Sequence, residues 1–112
     1  GRVYYSVGEK SEIWSVGIAR DGTIPPTAAA QASLAFDNIA AILAEAGLGL
    51  GNVVRLNAYV SAREHLKPYM DVRNARFAHP LPASTLMIVS GFARPEFLVE
   101  IEAIAAGPSS ET

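Results

Sequence analysis

Glu100 and Glu102 lie two residues apart in FLVEIEAIAA (97–106), an otherwise apolar stretch. In a β-strand that spacing projects both carboxylates from one face and leaves Val99, Ile101 and Ala103 on the other. A carboxylate is costly to bury in such company unless it is paired or hydrogen-bonded. Two arrangements meet that condition. Either the pair is solvated or paired with Arg55 across a sheet face, or one of them lines a pocket and holds a substrate or a water. In a pocket, apolar surroundings raise the carboxyl pKa and suit the group to general acid–base work. Arg94, in the turn GFARPEF just before this strand, could grip a ligand carboxylate with its planar fork. Its competing roles are a solvated turn arginine or an ion pair with Glu96.

Other patterns exclude chemistry. Gly47, Gly49 and Gly51 alternate as in a phosphate loop, but they run from a helix into a strand. Phosphate is held where a strand runs into a helix N-terminus, so these glycines read as a helix stop and a tight connection. His65 and His79 stand in no ligand spacing, and Ser15, Ser84 and Ser90 have no histidine and acid in motif context. With zero cysteines there is no disulfide, thiol nucleophile or thiolate site. No metal and no cofactor is expected. A net charge of -2 and a pI of about 5.6 lack the basic footprint of a nucleic-acid partner. No apolar run approaches a membrane span, and no signal-type stretch opens the sequence, so a cytoplasmic location is the default expectation.

The elements that position these residues follow from periodicity. Arg2–Val7 and Glu12–Ala19 read as two strands joined by a polar turn over 8–11, an antiparallel hairpin carrying Tyr5 and Val16. Asp21–Gly22 and Pro25–Pro26 interrupt regular structure. Thr27 then caps a helix over 28–46, where Ala32, Phe36, Ile39, Leu43 and Ala46 recur at three- and four-residue spacing before Gly47. Residues 52–61 alternate Val54, Leu56, Ala58 and Val60 against Val53, Arg55, Asn57 and Tyr59, as a strand with one polar-leaning face does. A second helix is expected over 64–77 with Leu66, Tyr69, Met70, Arg73 and Phe77 inward and Pro68 near its first turn. An extended linker at 79–82, a buried strand at 84–90, a turn at 91–95 and a last strand at 97–106 complete a ββ-α-β-α-ββ order. This is an α+β layer of two helices on one sheet, a single domain over 1–107 with a disordered tail over 108–112. The chain is 50% hydrophobic with a mean hydropathy of +0.22, apolar for 112 residues. Part of that surface should be covered by another chain, unless the alanine-rich helix alone inflates the figure.

The stretch Pro82–Ala105, PASTLMIVSGFARPEFLVEIEAIA, resembles the closing hairpin of the Rid (YjgF-like) family with its LVEIEAIA strand. Residues 31–46 resemble that family's first helix, 53–60 its central strand, and EIWSVGIA its second strand with Gly17 at the family's glycine. The resemblance implies a chorismate-mutase-like fold and a homotrimer whose sheets form a central barrel with helices outside. It implies small-molecule clefts between subunits. The best-known members hydrolyse reactive enamines and imines to ketoacids and ammonia, with an arginine clamping the substrate carboxylate and a glutamate placing water. Glu100 matches that glutamate and is the catalytic candidate. Tyr5 matches the family's tyrosine near the N-terminus. Val16 replaces a serine before the glycine. Pro82–Ala83–Ser84–Thr85 stands where the family has Pro-Ala-Arg-Ser, so Ser84 occupies the arginine slot, the mark of a divergent branch. Loss of a bidentate guanidinium is not conservative, and weak turnover of simple 2-imino acids is expected. Two readings stand. One is a hydrolase on altered substrates, with Glu100 positioning water and Arg94 partly standing in for the clamp. The other is a non-catalytic trimer that binds a carboxylate-bearing metabolite.

Overall fold

The alanine-rich stretch forms the longest element, α1 (Ala28–Glu45), with the boundaries its caps dictate. Thr27 Oγ1 accepts from the Ala30 N–H at 3.2 Å, satisfying a first-turn donor. At the other end the Leu48 N–H donates to the Leu43 carbonyl at 2.8 Å and the Gly47 N–H to that of Ala44 at 3.0 Å. This closure needs a left-handed residue, and Gly47 has φ +77°. Ala46 is thus the cap rather than the last helical residue, and the glycine run is a helix stop followed by a short 3-10 turn at Leu50–Asn52.

The structure is a computed structural model that describes residues 10–78 and 80–107. The expected strand at 2–7, its hairpin and Tyr5 lie outside the described residues, as do His79 and the tail at 108–112. Four strands, β1 (Lys10–Val16), β2 (Val53–Val60), β3 (Ala83–Ile88) and β4 (Val99–Ala106), form one sheet in the order β1-β4-β2-β3. β4 runs antiparallel to β1 and β2, whereas β3 runs parallel to β2 and is reached through α2 (Leu66–Arg76). The sheet is therefore mixed, and the two helices pack on one face of it. The core is the stripe of α1 closed against the inward residues Ile13, Leu56, Ala58, Val60, Val99, Ile101, Ala103 and Ala105.

Several boundaries and faces differ from the sequence reading. Lys10 and Ser11 pair with Ala106 and Ala105 instead of turning, and β1 stops at Val16 rather than Ala19. The stop has a steric cause: a Cβ on Gly17 would lie 2.4 Å from the Gln31 carbonyl oxygen, so the chain passes against the backbone of α1 there. In β2 the ladder shifts register between Val53 and Arg55. This bulge sends Val53 into the core and leaves Val54, expected inside, 50% exposed. Residues 63–65 form a 3-10 turn, and α2 begins at Leu66, which puts Pro68 among the first N–H positions that need no helical partner. Met70 is exposed, and the partly buried Val72 packs on the core in its place. β3 spans Ala83–Ile88 rather than 84–90 and is not buried: it is an edge strand, with Met87 52% and Ile88 43% exposed. β4 begins at Val99 rather than Phe97 because Glu96 and Leu98 spend backbone groups on α1, as follows.

Gln31 is fully buried within α1. Its Nε2 donates to the carbonyls of Pro25 and Glu96, each at 2.8 Å, and its Oε1 accepts from the Leu98 N–H at 2.8 Å. Replacing it by leucine leaves an N–H and two carbonyls without that partner. Gln31→Leu is expected to destabilise the fold by about 1–3 kcal/mol, read from denaturant melts.

Tyr69 is fully buried between the helices, its ring 6.1 Å from that of Phe36, which also meets Phe77 edge-on at 5.4 Å. Its hydroxyl has no hydrogen-bond partner among the described residues. Burial pushes the phenol up to about 12, with Arg73 opposing the shift. A phenol raised above its unfolded value near 10 stays protonated in the fold while the unfolded chain ionises. Its contribution is therefore complete below about pH 10 and is lost as pH rises toward 12. Tyr69→Phe removes both the orphan hydroxyl and this titration. The variant is expected to melt higher than the parent at pH 7 by about 1 kcal/mol, and the gap should widen above pH 10 in a melt series.

Candidate functional site

The strand register sorts the candidate residues into rows. On the face turned away from the helices, Val16, Glu100, Tyr59 and Met87 follow one another across the four strands, and the next row is Trp14, Glu102, Asn57 and Thr85. The structure thus brings Val16 and Glu100 together as direct cross-strand partners. The two glutamates share a face, as their spacing requires, yet they differ in environment. Glu102 is only 7% exposed and accepts from Asn57 Nδ2 at 2.9 Å, while Glu100 is half-buried. Arg55, considered as a partner for them, stands opposite Ile104, one row away, and donates instead to Thr85 Oγ1 at 2.7 Å.

Tyr59 lies between these carboxylates, directly opposite Glu100. Desolvation, then the fields of Glu102 and Glu100, raise its phenol above the ordinary value against the pull of Arg55. It is therefore a protonated donor at neutral pH. Its ring stacks on that of Trp14 at 6.1 Å and 12°. The result is an aromatic floor with one half-open carboxylate beside a hydroxyl donor, an arrangement that can hold a small polar molecule and exchange a proton with it. Tyr59, Asn57 and Trp14 were visible only as members of alternating strands. Nothing in the sequence shows that β4 lies between β1 and β2, and that adjacency makes them neighbours of the glutamates.

Ser84 is elsewhere. It lies on the helix-facing side of the edge strand, in the row Ile13, Ala103, Leu56, Ser84. A whole strand, β2, separates it from β4, so its Cα is about 10 Å to the side of β4, and it faces the other way from Glu100. Ser84 Oγ accepts from Arg73 Nη1 at 3.2 Å, a contact between β3 and α2 that the sequence reading did not foresee. Arg94 is engaged by Glu96 at 3.0 Å, both side chains about half exposed, with its guanidinium 5.6 Å from the centre of the Phe97 ring. The Glu96 carboxyl is lowered by its own backbone N–H and then by Arg94. Such an exposed pair contributes little and can be exchanged for a ligand. One concavity of about 640 Å³ lies between Leu50–Val54 and the segment 76–83, and another of about 350 Å³ between α1 and the end of β1. Neither is lined by Glu100, Ser84 or Arg94. Among the described residues no group of three or more histidines and carboxylates could hold a metal ion, and no helix is long and apolar enough to cross a membrane.

Comparison with known proteins agrees with this architecture. RidA from an Antarctic Psychrobacter is 28% identical, with a TM-score of 0.86 over 92% of this chain and 85% of its own. The YjgF gene product of E. coli is 25% identical, with a TM-score of 0.85 over 95% and 87%. The protein YJGH is 33% identical, with a TM-score of 0.82 over 92% and 80%. No curated protein matches the chain. The family described as Endoribonuclease L-PSP matches residues 14–107, from Trp14 on the aromatic floor to Gly107 just past β4. With most of its length matched and the sheet and helices of these relatives reproduced, the chain belongs to that family, the YjgF/RidA family.

Proposed function

We propose that the chain is a hydrolytic deaminase acting on a small enamine or imine in clefts between the subunits of a homotrimer. The observation that carries this is the split of the candidate site. Glu100, Val16 and Tyr59 share the open face, whereas Ser84 sits at the opposite edge on the other face. These groups meet only if the edge of one copy is laid against the open face of another. The exposed Met87 and Ile88 on that edge supply apolar area for the contact.

The chemistry asked of the site is modest. Glu100 takes a proton from water as the oxygen attacks the imine carbon, the C=N electron pair moves to nitrogen, and Glu100 passes that proton to the nitrogen. The resulting carbinolamine gives its hydroxyl proton to Glu100 and collapses to the carbonyl, the C–N bond breaks, and ammonia leaves with that second proton returned through Glu100. Tyr59 donates to the oxygen that develops negative charge. The net reaction adds one water and releases one ammonia, and it needs no metal or cofactor. RNA cleavage, which the family's description names, draws no electrostatic support from a chain of net charge -2 whose open face carries Glu12, Glu100 and Glu102.

Light scattering on the intact chain is expected to give the mass of three 11.8 kDa protomers; a monomer at micromolar concentration would remove the cleft. The reaction is tested by ammonia release from imines generated in place, 2-aminoacrylate among them. Glu100→Gln is expected to lower turnover by about 10²–10⁴-fold with an unchanged melt. Glu102→Gln, which weakens the bond to Asn57, should instead cost about 1 kcal/mol of stability with turnover largely retained. No ammonia release by the parent, together with a melting shift caused by carboxylic acids, would replace the hydrolase with a binding protein. An unchanged Glu100→Gln rate with a lowered melt would remove Glu100 from the chemistry.

A further inference from the structure

The geometry points to Arg73 as the carboxylate-binding residue of the cleft, delivered from α2 to the edge strand at Ser84. This rests on the hydrolase reading and names how its substrate is held.

The hydrogen bonds carry the argument. Arg73 Nε and Nη2 both donate to Asn74 Oδ1, at 3.1 and 3.0 Å, which fixes the plane of the guanidinium. Nη1 donates to Ser84 Oγ at 3.2 Å. Both acceptors are neutral. Among the described residues, Arg76 and Arg94 each pair with a carboxylate, Asp37 and Glu96, while no ion pair engages Arg73. Its charge is therefore left uncompensated on a half-buried side chain, held in one orientation by a side chain that contributes no opposite charge. An arginine fixed in this way has lost part of its rotamer freedom before a ligand arrives, which favours capture of an anion.

The strand beneath it adds donors. The Val89 N–H donates to the Val60 carbonyl. In a parallel ladder, alternate residues turn both backbone groups toward the neighbouring strand. Thr85, Met87 and Val89 thus face β2, and the N–H groups of Ser84, Leu86 and Ile88 point to the outer edge, where no strand among the described residues pairs with them. Guanidinium, hydroxyl and outward N–H come together at Ser84. That set suits a single planar monocarboxylate with two acceptor oxygens. A phosphate monoester, with about two charges, would find only one cation.

The test uses the intact chain and pyruvate, a 2-oxo acid of the kind that imine hydrolysis releases. Binding is followed by calorimetry, and each variant is first melted without ligand. Arg73→Gln is expected to weaken pyruvate binding about 10–100-fold, the loss of one charge-assisted hydrogen-bonded contact, with a melt close to the parent's. Arg73→Lys keeps the charge and loses the fork, and it should fall between the two. The variant that separates binding from support of α2 is Arg73→Gln combined with Ser84→Arg. It returns a guanidinium to the same place from the strand, and it should recover binding to within several-fold of the parent. Unchanged affinity in Arg73→Gln, or no recovery in the double variant, overturns the assignment. If ammonia release still depends on Glu100 in that case, the hydrolase reading survives without it. A parent that neither binds pyruvate nor releases ammonia overturns both.

Discussion

The fold hangs on one buried amide. Gln31 sits in the second turn of α1 and holds the carbonyls of Pro25 and Glu96 and the N–H of Leu98. The loop just before α1 and the distant segment 96–98 are tied to the helix at one point by a fully buried side chain, where an unmade hydrogen bond is expensive. Gly17 passes the same helix turn so closely that any side chain would collide with its backbone. Asn38, two turns further along α1, donates to the carbonyls of Val16 and Ile18 and secures the chain on either side of that glycine. The end of β1 and the start of β4 are thereby set against one helix. Val16 and Glu100, the cross-strand pair at the candidate site, each lie within two residues of these ties.

The sheet's two faces then divide the labour. The helix-covered face closes the core with small and branched residues. The open face carries polar side chains that satisfy one another across strands, Asn57 on Glu102 and Arg55 on Thr85. Glu102 is spent on that pairing. Glu100, two residues earlier, stands opposite the Tyr59 phenol instead. Similar carboxylates on one strand thus meet different cross-strand neighbours, Asn57 for Glu102 and Tyr59 for Glu100.

Local signals in the sequence were enough for α1: Thr27, the apolar stripe and Gly47 each mark a feature decided within a few residues. The shared face of Glu100 and Glu102 was legible for the same reason, as a strand's side-chain period is two. The rest depends on pairing between distant segments. A bulge at Val54 cannot be read from an alternation that looks unbroken, and it reverses the valine that enters the core. β3 reads as buried because its residues are apolar, but apolarity states only that something covers it, not that the same chain does. The link from Arg73 to Ser84 was hidden because Arg73 falls at helical spacing with Tyr69 and Phe77 and so looks like the edge of a core stripe. Its long stem can lie along that stripe while the guanidinium reaches the next strand.

Delivery of a guanidinium from a helix rather than from the strand changes what governs the site. On β3 such a group would be placed by the ladder to β2 alone. On α2 its position depends on how that helix packs, and α2 is seated through Tyr69 and Phe77 against Phe36 of α1. Arg76, the last residue of α2, reinforces the seat by binding Asp37 at 2.8 Å and the Ser33 hydroxyl at 2.7 Å. The aromatic cluster and this ion pair therefore set the height of Arg73 above the edge strand. Substitutions in the α1–α2 interface would shift Arg73, the proposed carboxylate grip, before they disturb Glu100, whose place is set by Gln31 and the β1–β4 ladder. In the proposed function, the carboxylate grip and the proton transfer would thus be anchored to different parts of one small core and could vary independently.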